Sequence, residues 1–263
     1  MIADIREMFV EQVHYRELLY QMTKRDLLLR YKQTVMGFGW AIFMPLVNTA
    51  VFSVIFSRIA PLDTGLPYPL FAYSGLLVWN FSASSFRFSV NSLTSNTSLV
   101  TKVYFPREIF PVSAVLVCAV DFAVGSIVLA ALMLYYHVAP SWAIVALPLI
   151  VLVHVLFTVG VSLLLAISNL FYRDVKYLFE LVITIWMFAT SVVYPISRVG
   201  GKMALLAPFN PMTPIIEAYR DVLLRGRLPD PGLFGWATSA AVVTFGLAWV
   251  FFHRAEFTFA ERI

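Results

Sequence analysis

Long apolar runs separated by short polar joints dominate the chain. Six stand out: about Val35 to Ile59, Tyr68 to Val90, Phe110 to Tyr136, Trp142 to Leu170, Leu178 to Tyr194 and Phe234 to Phe252. About 20 apolar residues in a helix cover the roughly 30 Å of hydrocarbon in a bilayer. The pattern therefore predicts an all-α integral membrane protein with six transmembrane helices. Gly37 and Gly39 lie near the start of the first run, and Pro45 within it predicts a kink. The fourth run is long enough to tilt.

Ahead of the runs the period changes. Over residues 4 to 22, Ile5, Met8, Phe9, Val13, Leu19 and Tyr20 share one helical face, and Arg6, Glu7, Glu11, His14 and Glu17 the other. This predicts an amphipathic helix in the membrane interface, with Arg16 snorkelling from the apolar face. A solvated helix packed on a partner is the alternative. A basic head (Lys24, Arg25, Arg30, Lys32) then runs without a loop into the first span. The expected division is a cytoplasmic interface segment, 1–33, and a transmembrane unit, 34–263.

The connection from Pro195 to Leu233 is apolar but broken by Pro208, Pro211 and Pro214. Apolar pieces too short to cross predict re-entrant helices shielded by protein. An extra crossing is the competing topology.

Composition agrees with a membrane chain. It is 60% hydrophobic and 13% charged, with mean hydropathy +0.81, whereas soluble domains carry about 25% charged residues. Six spans use nearly all of the 263 residues and leave no room for a second, soluble domain. Cys118 is the only cysteine, which excludes an intrachain disulfide and a cysteine-rich zinc site. The first residues carry no signal-peptide pattern, so an uncleaved anchor is expected. A net charge of +4 suits anionic lipid. The bases are scattered through an apolar chain, so nucleic acid is not an expected partner.

With the N-terminus inside, most of the 19 Lys and Arg fall in cytoplasmic segments. Arg58, Arg198, Lys202, Arg220, Arg225 and Arg227 fall outside, and Arg87 lies within the second span. The bias predicts both termini in the cytoplasm. The bases between spans 5 and 6 fit it poorly.

Reactive groups are sparse. There is no Gly-x-x-x-x-Gly-Lys-Ser/Thr and no His-Glu-x-x-His, and the four histidines are dispersed, so no metal site is expected. Work against a gradient would need ATP hydrolysed by another chain. Asn80-Phe-Ser and Asn96-Thr-Ser match the glycosylation pattern by chance, given their expected positions. Intramembrane charges are candidates for function. Asp121 falls near mid-membrane and Arg87 near the inner end of its span, roughly 10 Å apart in depth, so a direct pair would be strained. Asp121 is expected to be bonded within the bundle in a structural role.

Aromatic residues make up 16% of the chain. Trp40, Asn48, Phe52 and Phe56 recur along one slowly rotating stripe of span 1, as Trp186, Thr190 and Tyr194 do in span 5. Sugars stack their C–H faces on rings and bond through hydroxyls, so these residues are candidates for a saccharide conduit. Packing or an interfacial belt is the plainer use of such stripes.

Four segments carry a family resemblance. Arg30, Tyr31, Lys32, Gln33, Thr34, Gly37, Trp40, Ala41 and Pro45 resemble the opening of polysaccharide-exporting ABC-2 permeases. Val103-Tyr-Phe-Pro-Arg-Glu-Ile-Phe-Pro111 resembles that family's connection between spans 2 and 3. Tyr172-Arg-Asp-Val-Lys-Tyr177 and the segment from Asn210 to Arg227 resemble two further signatures, in the family's order and spacing. The resemblance implies a six-span subunit that dimerises on two copies of a separate ATPase, which would hold the ATP and magnesium. This chain itself would need no cofactor. The cargo implied is a lipid-linked polysaccharide such as O-antigen, capsule or teichoic acid, moved across the inner membrane.

By the same resemblance the span 2–3 connection docks on the ATPase. Asn96, Lys102, Tyr104, Arg107 and Glu108 would couple there, joined by Arg30, Lys32, Arg173 and Asp174. Asn96, Thr97 and Ser98 are suited to cap a short helix in that connection. The conduit would lie at the dimer interface near spans 1 and 5. The alternatives are a membrane-embedded glycosyl- or phosphotransferase, an ABC-2 permease for drugs or small lipids, and a passive channel. A transferase would want paired carboxylates, for which Asp174 with Glu180 and Glu217 with Asp221 are the weak candidates.

Overall fold

The computed structural model describes residues 14–32, 34, 36–37, 39–56, 64–97, 99, 105–195 and 209–256. The expected amphipathic stretch up to Val13, along with Lys102 and Tyr104, lies outside them. Among the described residues are eight α-helices and no strand. These are α1 (Arg16–Tyr31), α2 (Gly39–Val54), α3 (Tyr68–Ser92), α4 (Ile109–Tyr135), α5 (Leu147–Phe171), α6 (Val175–Phe188), α7 (Met212–Leu223) and α8 (Pro231–Glu256).

Length and apolarity select three of these as membrane crossings: α4, α5 with its leading 3-10 turn from Trp142, and α8. The other expected spans differ for separate physical reasons. α2 and α6 have 16 and 14 residues, about 24 and 21 Å of helix. α3 is 25 residues long but rich in serine. Most of α3 is buried by other helices, so it does not need lipid-grade hydropathy, and its small side chains let neighbours approach.

α3 is the centre of the bundle. Tyr73 donates to the Gly125 carbonyl of α4 at 3.0 Å, and Ser89 to the Pro111 carbonyl at 3.2 Å. Asn169 of α5 donates to the Val90 carbonyl at 2.8 Å. Ser82 lies 2.8 Å from His154 Nε2 and 3.0 Å from the Thr158 hydroxyl, and His154 Nδ1 lies 3.3 Å from the Tyr219 hydroxyl. These buried polar groups thus bond across helix interfaces, as burial in an apolar bundle requires. α8 lies on α5 at Gly160, where a Cβ would come within 2.8 Å of the Phe245 nitrogen.

The first and last described helices meet at one end of the bundle. Arg25 of α1 reaches Asn96 beyond α3 at 3.1 Å, and His253 of α8 lies 3.8 Å from Glu108 ahead of α4. α7 packs at the opposite end, against the first turns of α3.

Two expectations about the chain's path need correction. The basic head does not run straight into the first span: α1 ends at Tyr31, Gly37 takes a left-handed φ of 51°, and α2 begins at Gly39. A left-handed residue breaks a right-handed helix, and glycine tolerates it without a Cβ clash. The fifth run does not stay helical to Tyr194. α6 stops at Phe188, because the carbonyls of Ser191 and Val192 bond the Arg220 side chain instead of continuing a helix.

Candidate functional site

α1, α2, α3 and α4 enclose a cleft of about 550 Å³. Trp40, Met44 and Asn48 of α2 form one wall, and Asn80, Phe81 and Ser84 of α3 another. Arg30, Tyr31 and Asp121 close it. Pro45 has no N–H for the Ala41 carbonyl, so that acceptor is left without its usual helix donor beside the cleft.

The closing group joins two elements distant in sequence. Arg30 Nη1 lies 2.7 Å from Asp121 Oδ2, and the Tyr31 hydroxyl bonds Asp121 Oδ1. Burial, and then the neighbouring carboxylate, raise the Tyr31 phenol above its ordinary value, so it keeps its proton and donates. The Arg30 guanidinium also sits 4.5 Å from the Phe88 ring centre. Asp121 is thus bonded within the chain, and its partner is Arg30 rather than Arg87. Arg87 pairs with Glu180 of α6 at 3.1 Å, on an exposed surface. Arg30, read as a water-facing coupling residue, turns inward here.

The conduit stripe divides. Trp40 and Asn48 line the cleft. Phe52 stacks on Phe56, which packs on Tyr68 at 5.5 Å, so these two rings pack against the start of α3. Trp186 stacks on Phe86 at 5.9 Å and donates to Asn210 Oδ1 at 2.9 Å. Thr190 is 0% exposed, donates to the Trp186 carbonyl and accepts from Asn210. Tyr194 donates to the Phe188 carbonyl. The span 5 residues are therefore engaged within the chain, holding α6 to the start of α7.

The coupling residues that are described differ in exposure. Lys32, Arg173 and Asp174 are exposed, and Arg107 is half-buried. Glu108, expected to offer charge to a partner surface, is 3% exposed, facing His253 at the N-terminus of α4. A carboxylate is favourable there because the helix dipole is positive at that end. Asn96 donates to the Ser92 carbonyl at 2.9 Å, closing the end of α3, and accepts from Arg25.

Sequence reading missed Arg220. It is 0% exposed. Its guanidinium bonds the carbonyls of Ser191 (2.7 Å), Val192 (2.6 Å) and Phe71 (3.1 Å) and the Glu217 carboxylate (2.7 Å), over the face of Phe71. Gly75 makes room for it: a Cβ there would lie 2.4 Å from Arg220 Nη2. Arg225 bridges Glu217 and Asp221, each at 2.8 Å, and Arg227 bonds Asp221 at 2.9 Å. Arg220, Arg225 and Arg227, three of the bases that strained the charge rule, are thus neutralised locally. The signal was present in Glu217, Arg220 and Asp221, spaced three and four apart on one helix. Asn80 and Ser84 were missed as well, although the polar recurrence along the second run marked them.

The sequence matches the profile of the ABC-2 type transporter family over residues 17–224. It is 30% identical over 267 residues to the O-antigen export system permease protein RfbA of Myxococcus xanthus, covering 100% of both chains. Two proteins of the same name from Klebsiella pneumoniae are 29% and 30% identical over 248 and 251 residues, each covering 93% of this chain and 94% of its own. A match over most of the chain, with relatives aligned from end to end, places it: the protein belongs to the ABC-2 type transporter family.

Proposed function

We propose that this chain is the membrane subunit of an exporter that carries a lipid-linked polysaccharide across the inner membrane, driven by a separate ATPase. The observation that carries this reading is the cleft. An indole, two amides, two hydroxyls and a neutralised charge pair line a cavity set among the helices. Saccharides need that mixture of ring faces and paired donors and acceptors. The names of the full-length relatives give the same cargo class. The carboxylates that a transferase would want are engaged elsewhere: Glu217 and Asp221 each with two arginines, and Glu180 of the other candidate pair with Arg87.

In this reading α2, α3, α4, α5, α6 and α8 make six crossings, and α7 belongs to a re-entrant piece. The end shared by α1 and α8 faces the cytoplasm, with both termini there. A homodimer sits on two ATPase copies that hold ATP and magnesium. The connection between α3 and α4 docks on the ATPase, and exposed Lys32, Arg173 and Asp174 take part in the coupling. The exposed apolar faces of α2 and α6, which include Val47, Val51, Leu181 and Ile185, meet lipid or the second copy.

The test is export of cell-surface polysaccharide in a strain lacking the native gene. Asn48→Leu and Trp40→Ala are expected to lower export about ten-fold, the order of one or two lost hydrogen bonds or stacking contacts. Membrane levels of the protein should stay normal. Export at the wild-type level by both variants would remove the cleft from the pathway.

A further inference from the structure

At the opposite end of the bundle, α7 and the start of α8 border a second cavity of about 420 Å³ that the cleft's role does not use. We propose that it is a binding site for a neutral saccharide unit, an assignment that rests on the polysaccharide-export reading.

Charge accounting decides the ligand class. Glu217, Asp221 and Asp230 line the cavity with Arg225 and Arg227, and Arg220 lies bonded behind Glu217. Carboxylates and guanidiniums balance one for one, which favours neither a phosphate nor a metal cation. What remains is unused hydrogen-bonding capacity. Arg225 gives only Nη1 to the acids, and Arg227 only Nε. Among the described residues, the other guanidinium N–H groups and Asp221 Oδ2 make no hydrogen bond. Adjacent donors and a carboxylate acceptor match the paired hydroxyls of a sugar, each of which donates and accepts.

A second, independent observation points the same way. Thr213 lines the cavity, is 1% exposed, and its Oγ1 has no hydrogen-bond partner. An unpaired buried hydroxyl is destabilising, and it calls for a ligand that completes it. Phe234, Leu233 and Pro229 supply an apolar wall for the C–H face of a ring.

The test uses the full-length chain in lipid nanodiscs, without nucleotide. Saturation-transfer NMR is recorded with the methyl glycosides of glucose, galactose, mannose and rhamnose. At least one is expected to bind, and its signal should fall five-fold or more in Thr213→Val and in Arg227→Gln. Thr213→Val should melt no lower than wild type, because it replaces an unpaired hydroxyl with a methyl group of the same shape. Arg227→Gln alters an exposed side chain and keeps the test usable if the threonine variant folds poorly. Absence of binding by all four glycosides overturns the assignment. So does a signal that survives both variants, including one lost only in Asn48→Leu, which belongs to the cleft. This readout needs neither the ATPase nor export, so its failure removes the site and leaves the export reading, which ATP-dependent transport tests, in place.

Discussion

Arg220→Met is expected to cost about 3–5 kcal/mol of stability, the range for removing one partner of a buried ion pair. It strands the carbonyls of Ser191, Val192 and Phe71, and among the described residues it leaves Glu217 with Arg225 as its remaining salt-bridge partner. Methionine matches much of the side-chain volume, so the loss reflects bonding rather than a cavity. A lysine side chain would carry the charge on a compact ammonium that cannot fork to several carbonyls at once, and Arg220→Lys should recover only part of the loss. Melting of the purified protein in detergent, followed by size exclusion, reads both variants. Arg220→Met melting like wild type would mean that the unwound end of α6 does not depend on this side chain.

The second large effect is expected at Asp121. Asp121→Asn leaves the Arg30 guanidinium partly buried beside the cleft without its counter-charge, at a cost of about 2–4 kcal/mol. Arg30→Gln leaves the opposite charge unpaired and should cost a similar amount. The double variant removes both charges and should recover much of the loss, with a coupling of about 1–3 kcal/mol. Melting of the four proteins measures it. Additive losses would deny the pair, and loss of export by Asp121→Asn with folding intact would overturn the structural role of the acid.

Most helices were legible because one force sets them. Lipid demands an unbroken apolar helix wherever it touches the chain, so the ends of α4 and α5 fall within a few residues of the runs from Phe110 and Trp142. The early stop of α6 was not legible. Residues 189–194 carry no charge, proline or glycine to mark a helix end. The group that draws their carbonyls off the helix, Arg220, lies about 28 residues away in the sequence.

The same gap hid the closing group of Arg30, Tyr31 and Asp121. Arg30 sits in a basic run that reads as a water-facing head, and nothing local reports that Asp121, about 90 residues on, will draw it inward. Glu108 is the reverse case: in a polar joint its charge reads as exposed, whereas α8 returns to cover it. Half of the candidate site was visible in the Trp40–Asn48 stripe. Its other wall, Asn80 and Ser84, was present only as unexplained polarity in a span.

The central claim is that this subunit provides a path and moving walls, and that the force comes from another polypeptide. The direct measurement reconstitutes the purified chain in vesicles loaded with lipid-linked polysaccharide on one side, with and without its ABC ATPase. Appearance of polysaccharide on the far side should require both the ATPase and hydrolysable ATP. Transport at full rate by the chain alone, or with the ATPase but no nucleotide, would contradict the account.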